Sequence, residues 1–169
     1  RINIIGAAGP MGTMHVIRNG FSIAGCGHID VTEAAPEDRR NETVFKRYAA
    51  NILRVVPQLE YHPSRKLAID LVLFINGIPV ATVELKTDFT QSVDDAIDQY
   101  RFDRHPKPKG QPAEPLLAFP GGALVHFAVS NSEVEMTTRL DGPATRFLPF
   151  NQGDHGAKGN PMNPAGHRT

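Results

Sequence analysis

The stretch IDLVLFINGIPVATVELKT, residues 69–87, decides how this chain is read. Two apolar runs flank Asn76-Gly77, the strongest short-range signal for a β-hairpin. Yet the hairpin carries Asp70 near its start and Glu84 and Lys86 at its end. Side chains alternate between faces along a strand. Val80, Thr82, Glu84 and Lys86 therefore share one face, and Asp70 shares its face with Ala68, Val72 and Phe74. The turn folds the two runs together, so Asp70 and Glu84 can meet at one end with Lys86 beyond. Two readings fit these three residues: solvated strand tips, or a metal site. Two carboxylates brought together repel unless a cation lies between them. Hard oxygen ligands suit Mg²⁺, which keeps several waters and accepts phosphate oxygens. Such an ion stabilises charge on a phosphate and acidifies a bound water. A lysine beside it can orient that water or balance the developing charge. This is the chemistry of phosphodiester hydrolysis.

Parity also constrains the turn. Directly opposed residues in an antiparallel pair lie on one face. A two-residue Asn76-Gly77 loop pairs Ile75 with Ile78 and sets Asp70 opposite Val83, with Glu84 on the wrong face. A shared site needs an odd loop or a bulge. The expected solution is a three-residue loop, Ile75-Asn76-Gly77, with Gly77 at positive φ. Phe74 then lies opposite Ile78 and Asp70 opposite Thr82.

Outward from the hairpin, ILRVVPQLEYH (52–62) reads as a strand, with Pro57 marking an edge or a bend. ETVFKRYAAN (42–51) predicts a short helix with Val44, Tyr48 and Ala49 on one side. EAAPEDRRN (33–41) reads as loop. Residues 1–28 are glycine-rich and have room for one short strand and one short helix. After the hairpin, TQSVDDAIDQYRFDR (90–104) predicts a helix. Val93, Ala96, Ile97 and Tyr100 form its apolar stripe, and Asp94, Asp95 and Asp98 face away. HPKPKGQPAEP is a loop that cannot continue that helix. GALVHFAVS and EVEMTTRL predict two paired strands, and TRFLPF a last short one. The pattern indicates an α/β or α+β fold with a mixed sheet. The expected division is a partly looped N-terminal segment over 1–40, a core over 41–150, and a linker over 151–169.

Composition sets outer limits. The chain has 169 residues, 40% hydrophobic and 21% charged, which suffices for one domain with a core. Lysine plus arginine number 18 and aspartate plus glutamate 18, so the net charge is zero. A free-standing non-specific DNA binder is usually basic, because its affinity comes from phosphate neutralisation. Neutrality argues against that role, though not against a catalytic domain that is handed its DNA. No run approaches the length of a membrane span. No secretory leader pattern is read at the start, and a chain beginning at Arg1 is expected to be a fragment. A lone cysteine, Cys26, fits a reducing cytoplasm.

Other motifs weigh less. INIIGAAGPMG spaces Gly6, Gly9 and Gly12 as in a dinucleotide-binding turn, with Asp30 loosely placed for a ribose. Gly20, Gly25 and Gly27 break the unit and no second one follows, so a glycine-rich loop is the preferred reading. No two of the seven histidines lie at i, i+4, so a zinc site is not expected. His126, in an apolar strand, reads as a hydrogen-bonded structural residue. RHPKPK is a small basic loop, solvated or touching phosphate.

The segment AIDLVLFINGIPVATVELKTDFTQSVDDAIDQYR (68–101) resembles the nuclease domain of the restriction (R) subunit of type I restriction enzymes. That family carries a signature of the form D-x-V-L-F-x-N-G-x-P, then E-x-K, then a glutamine on the next helix. YAANILRVVPQLEYHP (48–63) and GALVHFAVSNSEVEMTTRLDGPATRFLPFNQG (122–153) are similar too, so the resemblance covers most of residues 40–160. It implies a restriction-endonuclease-like PD-(D/E)xK fold, a mixed sheet flanked by helices. It makes Asp70 and Glu84 the Mg²⁺-binding carboxylates and Lys86 the catalytic lysine. Gln99 matches the family's Gln-x-x-x-Tyr element, but Asp103 stands where the tyrosine is expected, and the tyrosine here is Tyr100. Ile69 stands where proline is usual before the aspartate. A glutamate from an early helix is common in such nucleases, and Glu42 is a candidate by position only. The resemblance further implies double-stranded DNA as substrate and a complex with modification methyltransferase and specificity subunits in a bacterial or archaeal cytoplasm. ATP-driven translocation would lie in motor domains outside this chain, which has no P-loop motif. The alternative is a silent nuclease-like module for assembly or DNA docking.

Overall fold

The computed structural model describes residues 11–37 and 40–166. Gly6 and Gly9 of the glycine-rich start lie outside them. Gly12 opens a helix, α1 (Gly12–Asn19), followed by a small hairpin of β1 (Phe21–Ile23) and β2 (Gly27–Ile29). Then come α2 (Glu42–Ala49), β3 (Leu53–Glu60), β4 (Ala68–Ile75), β5 (Ile78–Leu85), α3 (Val93–Asp98), β6 (Val125–Val129), β7 (Val134–Thr137) and β8 (Leu148–Pro149). Six strands form one sheet in the order β3-β4-β5-β6-β7-β8. Only β5 and β6 run parallel; every other neighbouring pair is antiparallel. A parallel pair cannot be closed by a tight turn. The intervening segment therefore crosses over through α3, which packs against β5, β6 and β7. A six-stranded mixed sheet with three α-helices among the described residues is consistent with a PD-(D/E)xK-like nuclease fold.

The expected apolar stripe of α3 makes its contact. Val93, Ala96 and Ile97 pack on Ala128 of β6, while Tyr100 joins Ile69, Val72, Leu117 and Leu140 in the main core. The acids on the other side, Asp94, Asp95 and Asp98, are exposed. Ser92 and Asp95 close a capping box at the helix start, with the Ser92 N–H donating to Asp95 Oδ2 at 2.6 Å. Helix α2 forms where expected, with the Asn41 side chain capping its N-terminus. Its apolar stripe does not become core: no residue of α2 is buried, and Tyr48 is exposed. Strand β3 is the sheet edge. This is where a residue without an N–H, Pro57, does least harm to a ladder.

The turn of the central hairpin corrects the expectation. The loop has two residues, not three, and Ile75 pairs with Ile78. Asn76 (φ 50°) and Gly77 (φ 83°) both take the left-handed conformation. That is the two-residue turn whose twist suits paired strands. The Asn76 side chain is held on both sides. Its Oδ1 accepts from the Ile52 N–H at 2.7 Å, and its Nδ2 donates to the Val31 carbonyl at 2.7 Å. Parity is restored instead by a register shift. Phe74 pairs with Pro79, but Leu73 pairs with Ala81, so Val80 is the extra residue of a bulge. Pro79 brings no N–H to the ladder, which makes its neighbour a ready place for the irregularity. Asp70 is consequently two positions out of its expected register, beyond the Leu71–Val83 pair and level with Glu84 rather than Thr82.

Gly77 has open space around the position of a Cβ, so a substitution there meets only backbone strain. Gly77→Val is expected to lower stability by about 1–3 kcal/mol in urea unfolding. A wild-type midpoint would show that the turn does not need the left-handed conformation.

Candidate functional site

Strand pairing carries Asp70 and Glu84 to the same end of the hairpin, one step past the last pair of the ladder. Each is then held differently. Asp70 Oδ2 accepts the Leu85 N–H at 2.8 Å, and Oδ1 accepts from the Gln58 amide at 2.8 Å. Gln58 reaches it from the edge strand with φ at +48°, a conformation rare outside glycine. Partial burial works against the Asp70 charge. The bonds from Leu85 and Gln58, the contact with the Glu84 carboxyl and the nearby Lys86 ammonium outweigh it and hold the carboxyl below its usual range.

Glu84 is fully enclosed. Its Oε1 accepts from Arg104 Nε at 2.6 Å, and its Oε2 is buried with no partner. Burial pushes the Glu84 carboxyl up to about 7. Arg104 pulls the other way, and the charge of Asp70 adds to the rise. Without a cation, therefore, the pair does not readily hold two full negative charges near neutrality. The adjoining tyrosines are also raised, Tyr61 and Tyr100 both chiefly by burial.

The helix that faces the pair changes its winding there. After α3 the chain makes a wide, π-helical turn over Gln99–Asp103, and the Arg104 N–H donates to the Gln99 carbonyl five residues back. Such turns are rare and recur at functional sites. Lys86 and Gln99 line a shallow cleft of about 340 Å³ with Phe102 and Asp103. The Gln99 Oε1 is a second buried acceptor without a partner. Of the predicted site residues, then, Asp70, Glu84, Lys86 and Gln99 are gathered around one end of the hairpin. Glu42 is not. Its side chain is 85% exposed and lies 3.9 Å from Lys46 on its own helix.

Beneath the site, the Thr82 hydroxyl lies 2.9 Å from Tyr100 Oη and 2.7 Å from His126 Nδ1. All three residues are buried. Burial lowers the imidazole of His126 to about 4, so it is neutral, as a structural histidine should be.

Residues 28–145 match the family described as the type I restriction enzyme R protein N terminus. The match contains the hairpin, the wide turn and every described residue that touches the carboxylate pair. The chain belongs to that family. No curated protein and no solved structure matches it. Among the described residues of this R-protein N-terminal domain, no helix is long and apolar enough to cross a membrane.

Sequence reasoning missed two residues of the site, Arg104 and Gln58. Arg104 is the last residue of the predicted helix and also opens the basic loop RHPKPK, and neither reading points it at Glu84. Only the wide turn brings it back to Glu84. Gln58 is one polar residue in an apolar strand, and nothing local marks it as the partner of Asp70.

Proposed function

We propose that this domain hydrolyses phosphodiester bonds of double-stranded DNA, with Mg²⁺ held by Asp70 and Glu84. One observation carries the reading. The two carboxylates face one another while a fully buried oxygen, Glu84 Oε2, has no partner. Buried polar atoms are almost always satisfied, so an orphaned acceptor beside a second carboxylate fits a missing cation. The donor set agrees. Among the described residues no group of three or more histidines, cysteines or acids is placed to hold an ion. Two carboxylates alone suit a hard ion that keeps most of its waters. When bound, Mg²⁺ supplies stabilisation of negative charge on phosphate oxygens and an acidified water.

The chain's own residues divide the remaining work. Gln58 and the Leu85 N–H present Asp70 as the ionised ligand. Glu84 offers Oε2. Lys86, at the rim of the cleft, orients the attacking water or offsets the charge that builds on the phosphate. Gln99 lines the same cleft, and its enclosed Oε1 is an acceptor left for a donor that enters beside it. ATP-driven translocation belongs to other domains of the R subunit. Choice of target and methylation belong to specificity and methyltransferase subunits joined to it in the cytoplasm. The zero net charge of the domain suits that division, since little affinity for DNA is needed where the complex delivers it.

Iron mapping tests the site directly. Fe²⁺ in place of Mg²⁺, with ascorbate and peroxide, is expected to cut the polypeptide next to residues 70 and 84, and Mg²⁺ should suppress these cuts. Cutting confined to other segments would remove the basis of the reading.

A further inference from the structure

Among the described residues Arg104 is the one cation in direct contact with the carboxylate pair, and its placement is unusual. In ordinary α-helical winding a residue five positions after Gln99 points about 140° away from it. The wide turn over Gln99–Asp103 removes most of that difference. It ends on the bond from the Arg104 N–H to the Gln99 carbonyl at 3.1 Å. The same five-residue step therefore serves Gln99, whose Oε1 is buried and unpartnered, and Arg104, whose Nε meets Glu84. The Arg104 side chain is only 10% exposed and Glu84 not at all, so the contact is enclosed rather than a surface pair.

The contact is also one-sided. Arg104 takes Oε1 and leaves Oε2 free. The bond from Nε fixes the place of Oε1, and the enclosure of the side chain leaves Oε2 little freedom around it. We propose that Arg104 is a positioning residue for the metal ligand. By anchoring Oε1 it holds Glu84 with Oε2 turned towards Asp70, in the orientation a divalent cation requires. This rests on the metal-dependent reading above. Without Arg104, Glu84 has two unpartnered oxygens in an enclosed place. It must turn towards another donor, and that change takes Oε2 away from the cation.

Mn²⁺ binding to the chain, followed by the electron paramagnetic resonance signal of the free ion, tests this without reference to catalysis. Circular dichroism of each variant reports the fold. The wild-type chain is expected to bind Mn²⁺ and Glu84→Gln to lose it. Arg104→Met is expected to fold yet bind Mn²⁺ about tenfold or more weakly, the scale on which partners of metal ligands act. Arg104→Lys keeps the charge but not the planar fork and should lie between the two. If Glu84→Gln loses Mn²⁺ while folded Arg104→Met binds it as tightly as wild type or tighter, the positioning role is overturned and the metal site stands. Where the methionine variant does not fold, wild-type affinity in Arg104→Lys overturns the role instead. If the wild-type chain binds no Mn²⁺, or Glu84→Gln binds it undiminished, the metal reading fails and this inference with it.

Discussion

Asp70→Ala, Glu84→Ala and Lys86→Ala should each stop the assembled restriction enzyme from cutting circular DNA, while ATP hydrolysis and translocation continue. The carboxylate variants are expected to lose cleavage by about a thousandfold or more, a cost of about 4 kcal/mol in the transition state. Each removes one of the two acids proposed to hold the cation. For Lys86 the expected loss is about a hundred- to ten-thousandfold, the range in which a positioned proton-transfer or charge-balancing group acts. The ATPase readout separates the two parts of the enzyme. A variant that merely unfolds the domain or prevents assembly should disturb both activities, whereas a variant that strikes the chemistry should disturb one. Full-rate linearisation by any of the three variants would remove that residue from the site. Normal cutting by all three would leave the domain as an assembly or docking module.

Acidification should destabilise the domain through one buried ring. His126 is 1% exposed, and burial lowers its imidazole from 6.5 to about 4. Below about pH 6.5 the unfolded chain takes up a proton that the native ring resists until about pH 4. The native state thus gains from His126 in full above pH 6.5 and loses that gain as the pH falls towards 4. The full difference is about 3 kcal/mol. Thr82 Oγ1 and Tyr100 lie against the ring, and among the described residues no acid is in hydrogen-bond contact with it to rescue the charged form. Urea unfolding at pH 7 and pH 4.5 measures the effect, with His126→Asn as the reference that keeps a polar atom near Nδ1. The wild type should lose about 2–3 kcal/mol more than the variant between the two pH values. Equal losses would place the acid sensitivity elsewhere, most directly on the carboxylates.

Much of this architecture can be read from local pattern. Period-two alternation identified the hairpin strands, and Asn-Gly identified their turn. The 3.6-residue spacing of Val93, Ala96, Ile97 and Tyr100 marked the helix face that enters the core. These features depend on residues within a few positions of one another, where backbone geometry leaves few choices. Local pattern has limits of one kind. Helix α2 forms as expected but none of its residues is buried, because periodicity reports which residues could be covered, not whether anything covers them. The three-residue loop satisfied parity as well as the observed arrangement does. A two-residue turn with a bulge at Val80 has the same arithmetic, and the choice rests on the long-range bonds that clamp Asn76 to Ile52 and Val31.

By itself, then, the sequence determined the types and order of the elements from α2 onward, and that Asp70, Glu84 and Lys86 belong to one end of one hairpin. Alternation and a short turn leave those residues little freedom. Only the tertiary structure decided who holds them. Gln58 arrives from a neighbouring strand at an unusual φ, and Arg104 through a helix that widens by one residue at its end. Neither has a local signature. Each is selected by the cost of leaving a carboxylate oxygen buried without a donor. That cost exists only once the sheet, the crossover helix and the loop after it have closed around the pair.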